Sequence, residues 1–420
     1  MMNELMELAE RQVRSQHEDV QALVEKNQRK VLDAFQKLKV SDSHFNPTTG
    51  YGYDDFGRDT LEELYAEIFS AEDALVRSQI ISGTHAITTA LFGVLRPGDE
   101  LVYMTGEPYD TLEEVIGSKE GRDKGSLSDF GIAYQAVPLK DNREVDLDLV
   151  KEAVSERTKV VAIQRSKGYA DRPSFTISDI KEMIRYVRSL KDEVIIFVDN
   201  CYGEFVEEQE PVEVGADLIA GSLIKNPGGG LARIGGYIAG RKQLIELCSY
   251  RLTAPGLGKE TGASLNTLQE MYQGIFLAPH VVGEALKGAI FTSKFLDSLG
   301  FSTSPRFDEP RTDLIQSVNF DNAEQMVQFC QAIQEASPIN SHVTPHPSPM
   351  PGYDSDVIMA AGTFVQGASL ELTADGPLRA PYTAFVQGGL TYAHVKIAVS
   401  RAAEKLIQSG FAAPKTPLKN

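Results

Sequence analysis

Apolar residues recur at helical spacing through residues 1–40 (Leu5, Leu8, Val13, Val20, Leu23, Val24, Val31, Leu32, Phe35) amid many charges, which predicts one or two amphipathic helices. Residues 41–57 break that period and read as a loop with aromatics set among glycines. A helix is predicted from Thr60, whose hydroxyl forms a capping box with Glu63 three residues on. Short apolar runs at 73–76, 101–104, 131–137, 159–166, 194–199, 216–222 and 234–240 read as strands, with helical stretches such as 148–157 and 177–190 between them. Strand and helix alternating through 70–245 predict an α/β fold with a mainly parallel sheet covered on both faces. In such sheets ligands sit beyond the carboxyl ends of the strands.

The pattern changes after Leu244. A Gly/Pro-rich loop at 250–262 precedes a helical pattern at 265–280, and a second helix at 284–299 leads into the last part of the chain. Beyond residue 300, shorter strands at 314–320, 341–344, 357–360 and 369–372, with two helices, predict a smaller α+β domain. The expected division is an N-terminal helical arm (1–45), a large α/β domain (46–285) and a small C-terminal domain (286–420). The proline-rich stretch 345–351 favours neither helix nor strand and is a candidate lid or substrate loop.

Composition narrows the function classes. A net charge of −18 over 420 residues argues against nucleic acid or an anionic membrane as partner. No apolar run approaches the roughly 18 residues that a membrane span needs. The charged first 30 residues lack the apolar core of a signal peptide, so the cytoplasm is the expected compartment. Cys201, Cys248 and Cys330 are too widely spaced for a disulfide framework or a zinc site. His342 and His346 lie among prolines with no third ligand in view, so no metal is expected.

The chemistry concentrates where strands end. The run Val194–Val198 stops in Asp199, and the next strand delivers Ser222 and then Lys225 into a glycine-rich turn. A carboxylate and an amine at neighbouring strand ends suit pyridoxal phosphate, which takes a lysine as a Schiff base and wants an acid on its ring nitrogen. Ser82-Gly83-Thr84 opens a helix, and free N–H groups at such an end bind phosphate. Tyr109 can stack on a planar ring. Ser166 falls at another strand exit, and Arg379, in a loop after a strand, can grip a substrate carboxylate. No Gly-x-Gly-x-x-Gly follows the first strand, which counts against a dinucleotide site.

With Tyr53-Asp-Asp-Phe-Gly-Arg58, Ser82-Gly-Thr, Leu95-Arg-Pro-Gly-Asp-Glu, Val198-Asp199-Asn and Ser222-Leu-Ile-Lys225 in place, the chain resembles the Cys/Met-metabolism family of fold-type I pyridoxal-phosphate enzymes. It looks closest to the branch labelled aluminium-resistance or methionine gamma-lyase-like. The resemblance implies a seven-stranded large domain and a smaller α+β domain. It makes Lys225 the Schiff-base lysine, Asp199 the partner of the pyridine nitrogen, and Gly83, Thr84 and Ser222 the phosphate holders, with Tyr109 on the ring. Tyr53 and Arg58 would reach the phosphate of an adjacent subunit, implying a homodimer or homotetramer with shared active sites. The implied activity is carbon–sulfur lyase, by β- or γ-elimination, on an amino acid such as cystathionine, methionine or cysteine. A transferase or aminotransferase, or a catalytically silent regulatory protein on the same fold, are the alternatives. Two departures stand out: the family's Tyr-x-Arg is stretched to Tyr53 with Arg58, and Gln164-Arg-Ser-Lys-Gly replaces the usual Asn-Pro.

Overall fold

The computed structural model describes residues 2–117, 124–141, 143–350 and 355–415. The chain forms two compact units, one of Gln28–Phe276 and one of Met1–Asn27 with Leu277–Asn420. Helices α1 (Met2–Gln12) and α2 (Arg14–Lys37) open it, and the first division falls inside α2.

The larger unit continues with α3 (Phe56–Ile68), β1 (Asp73–Arg77), α4 (Gly83–Val94), β2 (Glu100–Tyr103), α5 (Asp110–Ile116), β3 (Ala133–Ala136) and α6 (Leu147–Ala153). Then come β4 (Thr158–Gln164), α7 (Ile177–Leu190), β5 (Ile195–Asp199), β6 (Leu218–Ser222), β7 (Gly236–Gly240) and α8 (Lys242–Leu252), a helix the apolar pattern did not reveal. The seven strands form one sheet in the order β1-β7-β6-β5-β4-β2-β3. From β6 to β3 all neighbours are parallel, while β7 runs antiparallel to both β1 and β6. Every residue of β5, β6 and β7 is buried, which is why these strands read as unbroken apolar runs. The β6–β7 pairing ends at Ser222 opposite Gly236, and the Leu223 N–H adds one more bond to the Gly235 carbonyl at 2.9 Å.

Two local expectations need correction. α3 starts four residues before Thr60, because the Asp55 carboxylate accepts the Arg58 N–H at 2.9 Å and is itself held by the Thr48 hydroxyl and the Ser264 N–H. An ionised acid with three donors outcompetes a threonine hydroxyl as the cap. The second correction concerns 265–299, where a single helix, α9 (Leu268–Ser298), runs through Pro279. Proline costs that helix one backbone hydrogen bond, yet Ile275, Ala278, Val282 and Leu286 stay buried along one stripe and hold it together. α9 is also long and apolar enough to cross a membrane, contrary to the reading of the bare sequence, but 72% of its apolar window is buried within the protein, as in a core helix.

The smaller unit is built on β8 (Ser302–Ser304), β9 (Gln316–Asn319), β10 (Val357–Ala360), β11 (Thr373–Pro377) and β12 (Thr383–Gln387). They form an antiparallel sheet in the order β8-β9-β12-β11-β10, against which α10 (Ala323–Glu335) packs, itself paired with α11 (Tyr392–Gln408). Residues 341–344 are an exposed turn rather than a strand, closed by the Val343 N–H on the Asn340 carbonyl. The strand expected at 369–372 begins instead at Thr373, and just before it the Glu371 carboxylate accepts the N–H groups of Phe364 (2.8 Å) and Val365 (2.9 Å). Pro351 of the proline-rich stretch lies outside the described residues.

Candidate active site

Parallel register brings the strand ends together. Gln164, the last residue of β4, stands opposite Asp199, the last of β5, and Asp199 stands opposite Ala220, two residues before Ser222. With neighbouring strands roughly 4.8 Å apart, Gln164, Asp199 and Ser222 line one edge of the sheet.

Asp199 is buried, and its Oδ1 accepts the Cys201 N–H at 3.1 Å. Burial raises its pKa above the ordinary carboxylate range, while Lys225, the Cys201 N–H and side chain, and Arg172 oppose the rise. The acid therefore sits where a cationic ring nitrogen would stabilise its ionised form.

Lys225 leaves β6 through a tight turn and precedes the short 3-10 turn Asn226–Gly228. Its Nζ lies 4.1 Å from the centre of the Tyr202 ring, a cation–π distance. Burial disfavours the ammonium, while the facing Asp199 carboxylate favours it. Cys201 beside it is pushed up well beyond the ordinary thiol range, first by burial and then by Asp199, so it stays a neutral thiol.

The start of α4 meets these strand ends. A Cβ on Gly83 would lie 3.3 Å from the Cys201 sulfur and 3.4 Å from the Ser222 Cβ, so helix and strand approach closely enough to favour glycine. The Ser222 hydroxyl is buried without a hydrogen-bond partner, whereas the Ser82 hydroxyl is engaged as the helix cap, accepting the His85 N–H at 3.1 Å. Thr84 faces Thr111 of α5, hydroxyl to hydroxyl at 3.0 Å. An orphaned serine, a close-packed glycine and a helix N-terminus suit an incoming phosphate. Together with Asp199 and Lys225, the residues present fit pyridoxal phosphate.

Tyr109 is clasped from β4, its N–H donating to the Gln164 side-chain oxygen at 2.7 Å, and its ring meets Tyr169 edge-on at 6.3 Å. Gln164 also donates to the Ser166 carbonyl at 2.8 Å, and that carbonyl accepts Arg172 as well at 2.7 Å. Ser166 itself is buried.

The remaining sequence candidates are Tyr53, Arg58 and Arg379. Tyr53 is 54% exposed and stacks on the still more exposed Tyr51, ring centres 5.4 Å apart. Arg58 is buried, with its guanidinium bonded to the carbonyls of Gly52 (2.8 Å) and Gly262 (3.1 Å) and to Asp59 (2.9 Å). Its donors are committed to its own chain, which leaves Tyr53 as the outward-facing member of that pair. Arg379, in the smaller unit, is exposed in the turn between β11 and β12, and among the described residues its guanidinium has no partner.

Three groups escaped the sequence reading. The Tyr103 hydroxyl ends β2 buried and without a hydrogen-bond partner. Its pKa is raised by burial and then by Asp199. Glu204 is a wholly buried acid five residues beyond Asp199. Tyr202 lies under the lysine amine. The run Asn200-Cys-Tyr-Gly-Glu carries no such signal in sequence, and only the fold places the Tyr202 ring beside the Lys225 amine. Among the described residues no group of three His, Cys, Asp or Glu side chains is placed to hold a metal ion.

Residues 2–407 match the family model described as methionine gamma-lyase. An uncharacterized protein of Bacillus subtilis, YnbB, is 64% identical over 392 residues, 93% of each chain. The crystal structure of a provisionally assigned cystathionine beta-lyase involved in aluminum resistance from Listeria monocytogenes superposes with a TM-score of 0.95 at 63% identity, covering 96% of this chain and 99% of the other. A carbon-sulfur lyase involved in aluminum resistance from Clostridium novyi gives a TM-score of 0.93 at 47% identity over 96% of each chain. At 16% identity and a TM-score of 0.59, over 85% of this chain and 87% of the other, cystathionine gamma-lyase from Lactobacillus plantarum shares the fold alone.

Proposed function

The chain belongs to the methionine gamma-lyase family, and from that membership we propose that it is a pyridoxal-phosphate-dependent carbon–sulfur lyase acting on a sulfur-containing amino acid. The observation that carries this reading is the convergence of Lys225, Asp199 and the unpartnered Ser222 hydroxyl at adjoining strand ends. Bound there, pyridoxal phosphate supplies an electron sink that acidifies the amino acid's Cα–H and lets a thiol depart from the β or γ carbon. Lys225 would hold the cofactor, and its Nζ would serve as the base for the substrate's Cα proton. Asp199 keeps a proton on the ring nitrogen, and Tyr109 stacks over the ring. Gly83, Thr84 and Ser222 hold the phosphate at the start of α4. The exposed Tyr51–Tyr53 pair supports a homodimer or homotetramer in which Tyr53 serves a neighbouring copy's phosphate.

The test is a visible absorption spectrum of protein supplied with pyridoxal phosphate, followed by product analysis with cystathionine, methionine and cysteine. A yellow protein that releases ammonia, a keto acid and a thiol supports the lyase. A new amino acid without ammonia would make it a transferase, and a colourless protein would end the reading.

A further inference from the structure

The loop that follows β4 closes on Tyr109 through both its backbone and its ring. The base of the loop is fixed to the sheet: the Arg165 N–H donates to the Asp199 carbonyl at 3.2 Å, and the Arg165 carbonyl accepts the Phe175 N–H at 2.9 Å. Between those two residues the chain brings Gly168 and Tyr169 against the Tyr109 ring. A Cβ on Gly168 would lie 3.2 Å from Tyr109 Cδ2 and 3.8 Å from the Gln164 side-chain nitrogen, and the residue's φ of +56° is left-handed. Backbone conformation and the closeness of the ring therefore both favour glycine there.

Arg172 ties this loop together from within. Its side chain is buried, and its guanidinium donates to the carbonyls of Ser166 (2.7 Å), Pro173 (3.0 Å) and Gln164 (3.2 Å) while lying 5.3 Å from the centre of the Phe175 ring. The Ser166 carbonyl also accepts the Gln164 side-chain amide, whose oxygen accepts the Tyr109 N–H. An unbroken series of hydrogen bonds thus runs from Arg172 through Ser166 and Gln164 to Tyr109. A planar guanidinium can span several carbonyls at fixed angles, whereas a lysine ammonium is one compact charge on a flexible stem.

We propose that Arg172 is a positioning residue for Tyr109, fixing its backbone through Gln164 and the place of its ring through Gly168. The inference rests on the reading in which Tyr109 stacks on the cofactor.

Amide hydrogen exchange of the cofactor-free protein tests it. In Arg172→Met the Tyr109 N–H should exchange about tenfold faster, while the amides of β5 keep their protection. Arg172→Lys, which keeps the charge but loses the fork, should give a smaller change in the same direction and serves if the methionine variant does not fold. Protein loaded with pyridoxal phosphate gives a second readout. Gly168→Ala, which crowds the ring without altering a charge, and Arg172→Lys should each release the cofactor about fivefold faster on dialysis. In a Tyr109→Ala background both increments should shrink to about twofold or less, because the residue they act through is gone. Tyr109 exchange that matches wild type in the Arg172 variants, or that quickens only in step with β5, overturns the proposal. So do release increments that persist undiminished in Tyr109→Ala. Wild-type protein that takes no colour from the cofactor sinks the lyase reading instead, and the exchange measurement still decides whether Arg172 governs Tyr109.

Discussion

Gln164 and Asp199 are cross-strand partners at the ends of β4 and β5, so the residue that clasps Tyr109 and the acid proposed to face the cofactor's ring belong to one rung of the sheet. Their spacing is set by backbone hydrogen bonds rather than by flexible side chains. Gln164→Ala removes two buried hydrogen bonds and leaves the Tyr109 N–H without its acceptor. The expected cost is about 1–3 kcal/mol in denaturant unfolding, with faster loss of colour on dialysis.

Asp199→Asn keeps the shape and the Cys201 N–H contact but cannot hold a positive ring nitrogen. Turnover should fall by about 100-fold or more while the cofactor stays bound. Steady-state kinetics beside the visible spectrum separate these two effects, and an active Asp199→Asn would contradict the assigned role.

Away from the active site, Glu62 and Arg77 form a fully buried ion pair at 2.5 Å, with Arg77 also donating to the Thr261 carbonyl. Burial opposes the Glu62 charge, but Arg77 and Lys259 outweigh it and hold the pKa below the ordinary value. Its contribution to stability is therefore complete above the unfolded-state pKa and is lost as pH falls through the lower folded value. Glu62→Ala strands a buried cation and should cost about 3–5 kcal/mol at neutral pH, read by urea unfolding.

Glu204 has the opposite sign. Its folded pKa of about 8 exceeds the unfolded value, so the native state binds the extra proton. Stability from this group is complete below the unfolded pKa and declines as pH rises through the window up to about 8. Thermal melts of Glu204→Gln should show a flatter decline between acid and pH 8 than the wild type.

Tyr51 and Tyr53 expose most of their ring area while stacking on each other, so Tyr53→Ala should leave the fold intact. It should lower the assembly's mass or its hold on pyridoxal phosphate, measured by light scattering and by colour after gel filtration.

The sheet was legible because strands buried on both faces carry uninterrupted apolar runs, as in β5 and β6. Asp199 and Lys225 stood out because each ends such a run. Neither the α3 cap nor the course of α9 could be read locally. Asp55 gains its second and third donors from Thr48 and Ser264, and Pro279 is tolerated because distant apolar neighbours bury its helix. Glu204 escaped for a similar reason. In sequence it is one acid among several in 204–210, and only Tyr237, more than thirty residues away, shows that it is buried.

The hairpin formed by β6 and β7 has a bearing on how this scaffold can diversify. Because Ser222 is paired with Gly236 and Leu223 with Gly235, the lysine projects from a firmly tethered base only two residues behind it. The two strands thereby fix where the loop leaves the sheet, so changes confined to its exposed residue Arg233 should leave the lysine's base in place.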